Sequence, residues 1–110
     1  MKPFNVTDFK EVVKTVALGL HKIISDARGN CVSFTPRRVL EFAGIDTTAP
    51  IALTLVKHIL EGLTEKGLVV KDDSRSKIRY IICRGRSPLW EPLKEGSLED
   101  ITDIIYRAVE

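Results

Sequence analysis

The sequence predicts a mainly α-helical domain carrying a small antiparallel β-sheet, an α+β fold with element order α-β-α-α-β-β-α. Three observations carry this expectation. Four stretches repeat apolar residues at steps of three and four, the period of a helix packed on one face. Two short β-rich runs flank a polar turn, and a third run separates the first two helical stretches. Capping residues open the helical stretches, and glycines followed by apolar residues close two of them. The chain has 110 residues with 44% hydrophobic and 29% charged, enough for one domain with a real core and too apolar for a mainly disordered chain.

Residues 7–28 form the first expected helix, with Phe9, Val12, Val13, Val16, Ala17, Leu20, Ile23 and Ile24 on one face. Thr7 is its expected cap, Asp8 suits its first turn, and Gly29 supplies a left-handed stop. CVSF at 31–34 is a short strand. Thr35-Pro36 then opens a helix to about Ala43, since proline at the first helical position lacks only an N–H that would be orphaned there. Gly44-Ile45 ends it. Asp46-Thr47-Thr48 opens a third helix, expected over 47–66, with Pro50 in its first turn. Its apolar face is Ile51, Leu55, Val56, Ile59, Leu60 and Leu63, and Gly67-Leu68 stops it.

LVVK at 68–71 and KIRYIICR at 77–84 are strand-like, joined by the polar turn 72–76 into a hairpin. Alternation sends Ile78, Tyr80 and Ile82 to one face and Lys77, Arg79, Ile81 and Cys83 to the other. Residues 85–96, with Gly85, Pro88, Pro92 and Gly96, are expected to be an irregular connector. Ser97 and Asp100 make a capping-box-like start to a final helix carrying Leu98, Ile101, Ile104, Ile105, Ala108 and Val109. The chain therefore divides into 1–84, a connector at 85–96 and a C-terminal helix at 97–110, one domain overall.

Chemistry is narrowed mainly by exclusion. The two histidines, His21 and His58, lack partners at metal-ligand spacing, and the two cysteines lack it too. His21 is expected at the edge of the first helix's apolar face and His58 toward the polar face of the third. There is no glycine-rich phosphate loop and no Ser-His-Asp pattern. The expectation is no enzyme, no cofactor, no metal and no small-molecule ligand. No apolar run approaches the roughly 20 residues that span a bilayer, and MKPFNVTDFKEVVK interrupts its apolar residues with charges. Neither a membrane span nor a signal peptide is expected, and the location is expected to be cytoplasmic.

Net charge is +2, but it is unevenly placed: about +1 over residues 1–65, +5 over 66–86 and −4 over 87–110. A local basic segment suits a polyanionic partner. The chain also has no glutamine and only Asn5 and Asn30. Thermolabile amides are depleted in hyperthermophile proteins, so a thermophilic source is expected.

VSFTPRRVLEFAGI, a helix ending ILEGLTEKGLVVKDD, and RSKIRYIICR together resemble the winged helix-turn-helix DNA-binding domain of small archaeal and bacterial transcription regulators. The resemblance covers about residues 7–84. It implies double-stranded DNA as partner, the helix 47–66 as the recognition helix and the hairpin 68–84 as a basic wing. On the recognition helix the candidate contacts are Thr47, Thr48, Leu53, Thr54, Lys57 and His58. Hydroxyls can bond phosphates or bases, and methyl groups can meet thymine. On the wing they are Lys71, Arg75, Lys77 and Arg79, expected around its tip. Arg37 and Arg38 open the second helix, which in the resembling fold crosses the DNA backbone. Cations there oppose the helix dipole, which hints at a use. Arginine is absent from the recognition face, and Leu53 is apolar. A protein–protein module of a transcription, replication or membrane-remodelling assembly is therefore the alternative.

The resemblance also implies that the first strand pairs antiparallel with the last wing strand, bringing Cys31 near Cys83. Two buried free thiols are favoured there over a disulfide. In similar regulators terminal helices pair across a two-fold axis, which implies a homodimer through residues 7–28 and 97–110.

Overall fold

The computed structural model describes residues 9–45, 50–74 and 76–110. Among these residues it is an α+β fold of five helices and one three-stranded antiparallel sheet. The elements are α1 (Phe9–Ser25), β1 (Cys31–Phe34), α2 (Pro36–Phe42), α3 (Pro50–Glu65), β2 (Val70–Asp72), β3 (Arg79–Cys83), α4 (Trp90–Glu95) and α5 (Leu98–Val109). No helix among the described residues is long and apolar enough to cross a membrane. The expected cap at Thr7 and Asp8 and the helix opening at Asp46-Thr47-Thr48 lie outside the described residues.

α1 is the central helix. Val12, Val13, Val16, Ala17, Leu20, Ile23 and Ile24 are all buried, and it packs against α2, α3, α4 and α5. It ends at Ser25 rather than at 28, and Gly29 does not take the left-handed conformation expected of it. Beyond Ile24 the next residues are mostly exposed, so a further turn would bury little. α5 covers α1 with Ile101 and Ile105, so the apolar faces of the two terminal helices are used on one another within the chain.

The cap of α2 and the glycine stops after α2 and α3 behave as local chemistry dictates. The Thr35 hydroxyl accepts from the Arg38 N–H at 3.3 Å, with Pro36 as the first helical residue. Gly44 and Gly67 sit at φ +76° and +75°. In each case the next residue's N–H returns to a carbonyl five positions back, Ile45 to Leu40 and Leu68 to Leu63, both at 3.0 Å. This is the glycine-closed stop that satisfies a helix's last carbonyls. Within α3 the buried line is Ala52, Val56, Ile59, Leu60 and Leu63, whereas Ile51 is 60% exposed. The expected apolar face was one position off at its leading end, because small Ala52 rather than Ile51 fits against the core.

Residues 85–96 are not an irregular connector. They contain α4, which buries Trp90 and Leu93, with Leu89 buried just before it. Pro92 is its third residue, where the missing N–H has no helical partner to lose. The proline density therefore disguised a helix without preventing one. His21 Nδ1 donates to the Leu93 carbonyl at 2.6 Å and ties α4 to α1.

The sheet order is β1-β3-β2. β1 pairs with β3 in the register Cys31–Cys83, Val32–Ile82, Ser33–Ile81 and Phe34–Tyr80, and β2 pairs as Val70–Ile81, Lys71–Tyr80 and Asp72–Arg79. Phe34, Tyr80 and Ile82 face the helices and are buried; Val70 on the other face is 63% exposed. Cys31 and Cys83 lie on that outer face and form a disulfide. The expected pair of buried free thiols is thus corrected on both counts. Cys31 is exposed and Cys83 half-buried, because the buried Phe34 turns the odd residues of β1 outward.

Candidate nucleic-acid interface

Three elements converge on an open groove of about 550 Å³. α2 presents its first turn, α3 its middle and the β2–β3 hairpin its second arm. Thr35 holds extended backbone at the cap, which turns the chain sharply into α2 and sets Arg37 at the groove edge. Leu53, Thr54 and Lys57 recur at helical spacing on the groove side of α3, with half-buried Leu53 at the edge of the core. Ser76, Lys77 and Ile78 close the groove from the hairpin, and the Tyr80 ring lies beneath them.

The groove has an apolar floor and cationic walls. Leu53, Ile78 and Tyr80 supply the floor; Arg37, Lys57 and Lys77 supply three positive charges from three different elements. No carboxylate is among its described lining residues. Glu61, one turn beyond Lys57, is already engaged. Its Oε2 accepts from the Tyr80 hydroxyl at 2.5 Å, and its Oε1 accepts from Lys71 Nζ at 2.9 Å. These two hydrogen bonds, Tyr80 first, hold the Glu61 carboxyl below its ordinary range. Burial, reinforced by the Glu61 carboxylate, pushes the Tyr80 phenol up beyond its ordinary range. The unit is therefore a carboxylate facing a neutral phenol and an ammonium, fixing α3 to both strands of the hairpin.

Five candidates from the sequence meet in this groove: Arg37, Leu53, Thr54, Lys57 and Lys77. Thr47, Thr48 and Arg75 lie outside the described residues. Lys71 is corrected: it is not a cation of the hairpin tip but stands opposite Tyr80 on the inner face, paired to Glu61. Arg79 is exposed but shares the outer sheet face with Asp72, its register partner, so it faces away from Tyr80 and the groove. Arg38 lies 3.9 Å from Glu41 and packs its guanidinium 5.4 Å from the centre of the Phe42 ring, outside the groove lining. His58 is exposed on α3 next to Lys57. Sequence reasoning missed Tyr80 and Glu61 as a linked pair. Each sat in a plausible strand or helix pattern, but their contact spans 19 residues, and no local signal encodes it. The hairpin turn is locally built, since Asp72 Oδ1 accepts from both the N–H and the hydroxyl of Ser74.

No group of three or more histidine, cysteine or acidic side chains able to hold a metal ion occurs among the described residues. A scan against family models finds no match for the chain, and searches of curated proteins and of solved structures find none.

Proposed function

We propose that this chain binds double-stranded DNA through the groove between α2, α3 and the hairpin, as a transcription regulator of the winged helix-turn-helix kind. In that reading α2 and α3 are the helix-turn-helix pair, α3 is the recognition helix and β2–β3 is the wing. The observation that carries it is the convergence of Arg37, Lys57 and Lys77 on one groove without an opposing carboxylate among its described lining residues. Cations gathered this way follow a phosphate backbone, while Thr54 and the Leu53 side chain present a hydroxyl and methyl groups to base edges.

Two copies would pair through α5, where Ile104 is 37% exposed and is flanked on its own helix by Asp103 and Arg107. Asp103 and Arg107 are already paired with each other at 3.3 Å, so exposed Ile104 would be the apolar centre of such a contact across a two-fold axis. Paired copies would place two recognition helices about one DNA turn, roughly 34 Å, apart and favour a palindromic site.

The test is a titration of duplex DNA at several salt concentrations. Three phosphate contacts per chain, six for the paired copies, give a log–log slope near −5.4, about an 1,800-fold weakening between roughly 50 and 200 mM salt. Replacing Arg37, Lys57 or Lys77 by alanine removes one contact from each copy and should flatten that slope by about 1.8. Binding that ignores salt, or survives loss of all three cations, overturns the reading. Complete absence of duplex binding at low salt favours the protein–protein alternative, for which the exposed Ile51 and Val70 are the supporting observation.

A further inference from the structure

We propose that the Cys31–Cys83 bond is a thiol–disulfide exchange site, open on the outer face of the sheet to a dithiol reductant. The bond joins the edge strand β1 to the central strand β3 at the end of their ladder. It faces away from the core, with Cys31 exposed and Cys83 half-buried. A reductant can therefore reach sulfur without unfolding the chain, which a disulfide sealed in the core would require.

The two cysteines differ in exposure, Cys31 exposed and Cys83 half-buried, and that difference assigns their roles. Cys83 lines a shallow depression with Leu68, Val70, Ile81 and Arg86, and no carboxylate is among the described residues lining it. A guanidinium beside a sulfur favours its thiolate, and the thiol with the lower pKa leaves faster. The more exposed Cys31 is thus the sulfur attacked and Cys83 the sulfur released. An external thiolate forms a bond to Cys31 Sγ as the Cys31–Cys83 bond breaks. The electron pair departs on Cys83 Sγ, whose residue shares the depression with Arg86, and the thiolate later takes a proton from water. The reductant's second thiol, deprotonated, then attacks its own sulfur in the mixed disulfide and releases Cys31 as a thiolate. The reductant is oxidised to a disulfide and the protein gains two thiols, a two-electron exchange.

The consequence is set by position in the chain. Every described residue lining the cationic groove lies between residues 31 and 83. Exchange therefore opens a covalent ring that encloses the whole groove while leaving α1, α4 and α5 outside it. The chemistry itself stands apart from the duplex-binding reading, because its readout is a count of free thiols.

The experiment exposes the oxidised protein to excess dithiothreitol under native conditions, quenches with N-ethylmaleimide and counts labels by mass over time. No label before reduction and two after it are expected, at a rate unchanged by urea concentrations too low to unfold the chain. Arg86→Ala should slow reduction, because no guanidinium then stabilises the departing Cys83 thiolate. Arg79→Ala, also on the outer face but not lining the depression, should leave the rate unchanged. Two labels before any reductant, or a rate that climbs with urea in step with unfolding, overturns the site. An equal rate in Arg86→Ala overturns the assignment of Cys83 as the leaving sulfur.

Discussion

Tyr80→Phe is the sharpest probe of how the groove is held. The phenyl ring is fully buried and stacks on Phe34, with centroids 6.4 Å apart. The substitution keeps that packing and removes only the hydroxyl that donates to Glu61. A hydrogen bond to a charged group contributes about 1.5–3 kcal/mol. Glu61 retains Lys71 and is about a third exposed, so water replaces part of the loss and the low end, about 1.5 kcal/mol, applies. For a domain of this length that is a fall in melting temperature of roughly 6 °C. The sign with pH is fixed by Glu61. Its carboxyl is depressed below the ordinary 4.5 in the folded chain, so its contribution is full above that pH and is lost as pH falls through the folded value. The Tyr80 phenol is raised from its ordinary 10.0. Its contribution is present below pH 10 and lost as pH rises above it. Thermal melts of the native and Tyr80→Phe proteins across pH 3 to 11 should therefore differ most between about pH 5 and 9. A difference that persists undiminished at pH 3, or is absent at pH 7, would refute the account of the Glu61–Tyr80 bond.

Other outcomes follow from the same geometry. A methyl at Gly19 would lie 2.3 Å from the Val39 carbonyl oxygen. Gly19→Ala should push α1 from α2 and destabilise by about 1–3 kcal/mol, read by chemical denaturation; an unchanged midpoint would show that the helices separate freely. Removing both cysteines should cost about 4 kcal/mol by the chain-entropy relation for cysteines 52 residues apart, measured as the gap between oxidised protein and a Cys31→Ser/Cys83→Ser variant. Ile104→Lys should convert a sedimenting dimer to monomer at micromolar concentration; identical sedimentation of the two proteins would remove α5 as the pairing surface.

Much of the element order is legible in the chain because its causes are local. Thr35-Pro36, Gly44-Ile45, Gly67-Leu68 and Ser97 act on backbone groups within about five residues, and each closes or opens a helix where its chemistry says it should. The same holds for the alternation that buries Tyr80 and Ile82. α4 is masked in the sequence by Pro88 and Pro92, although Trp90 and Leu93 stand at helical spacing. Arg37, Leu53, Thr54, Lys57 and Lys77 are five of twelve candidate contacts the sequence offers; that these five share one groove is not legible in it, because the groove depends on how α3 and the hairpin dock.

Sequence alone determined the apolar period of α1 and α5, the caps at Thr35 and Ser97, the glycine stops at Gly44 and Gly67, and the concentration of positive charge in residues 66–86. Tertiary structure decided what strand register and packing control. A one-residue slip of a strand reverses every side chain on it. Register therefore determined that Lys71 turns inward to Glu61 while Arg79 turns outward, and that Cys31 meets Cys83 on an open face instead of in the core. The His21–Leu93 and Tyr80–Glu61 bonds join residues 72 and 19 positions apart. Such contacts arise only when separate elements dock, so no window of local sequence contains them.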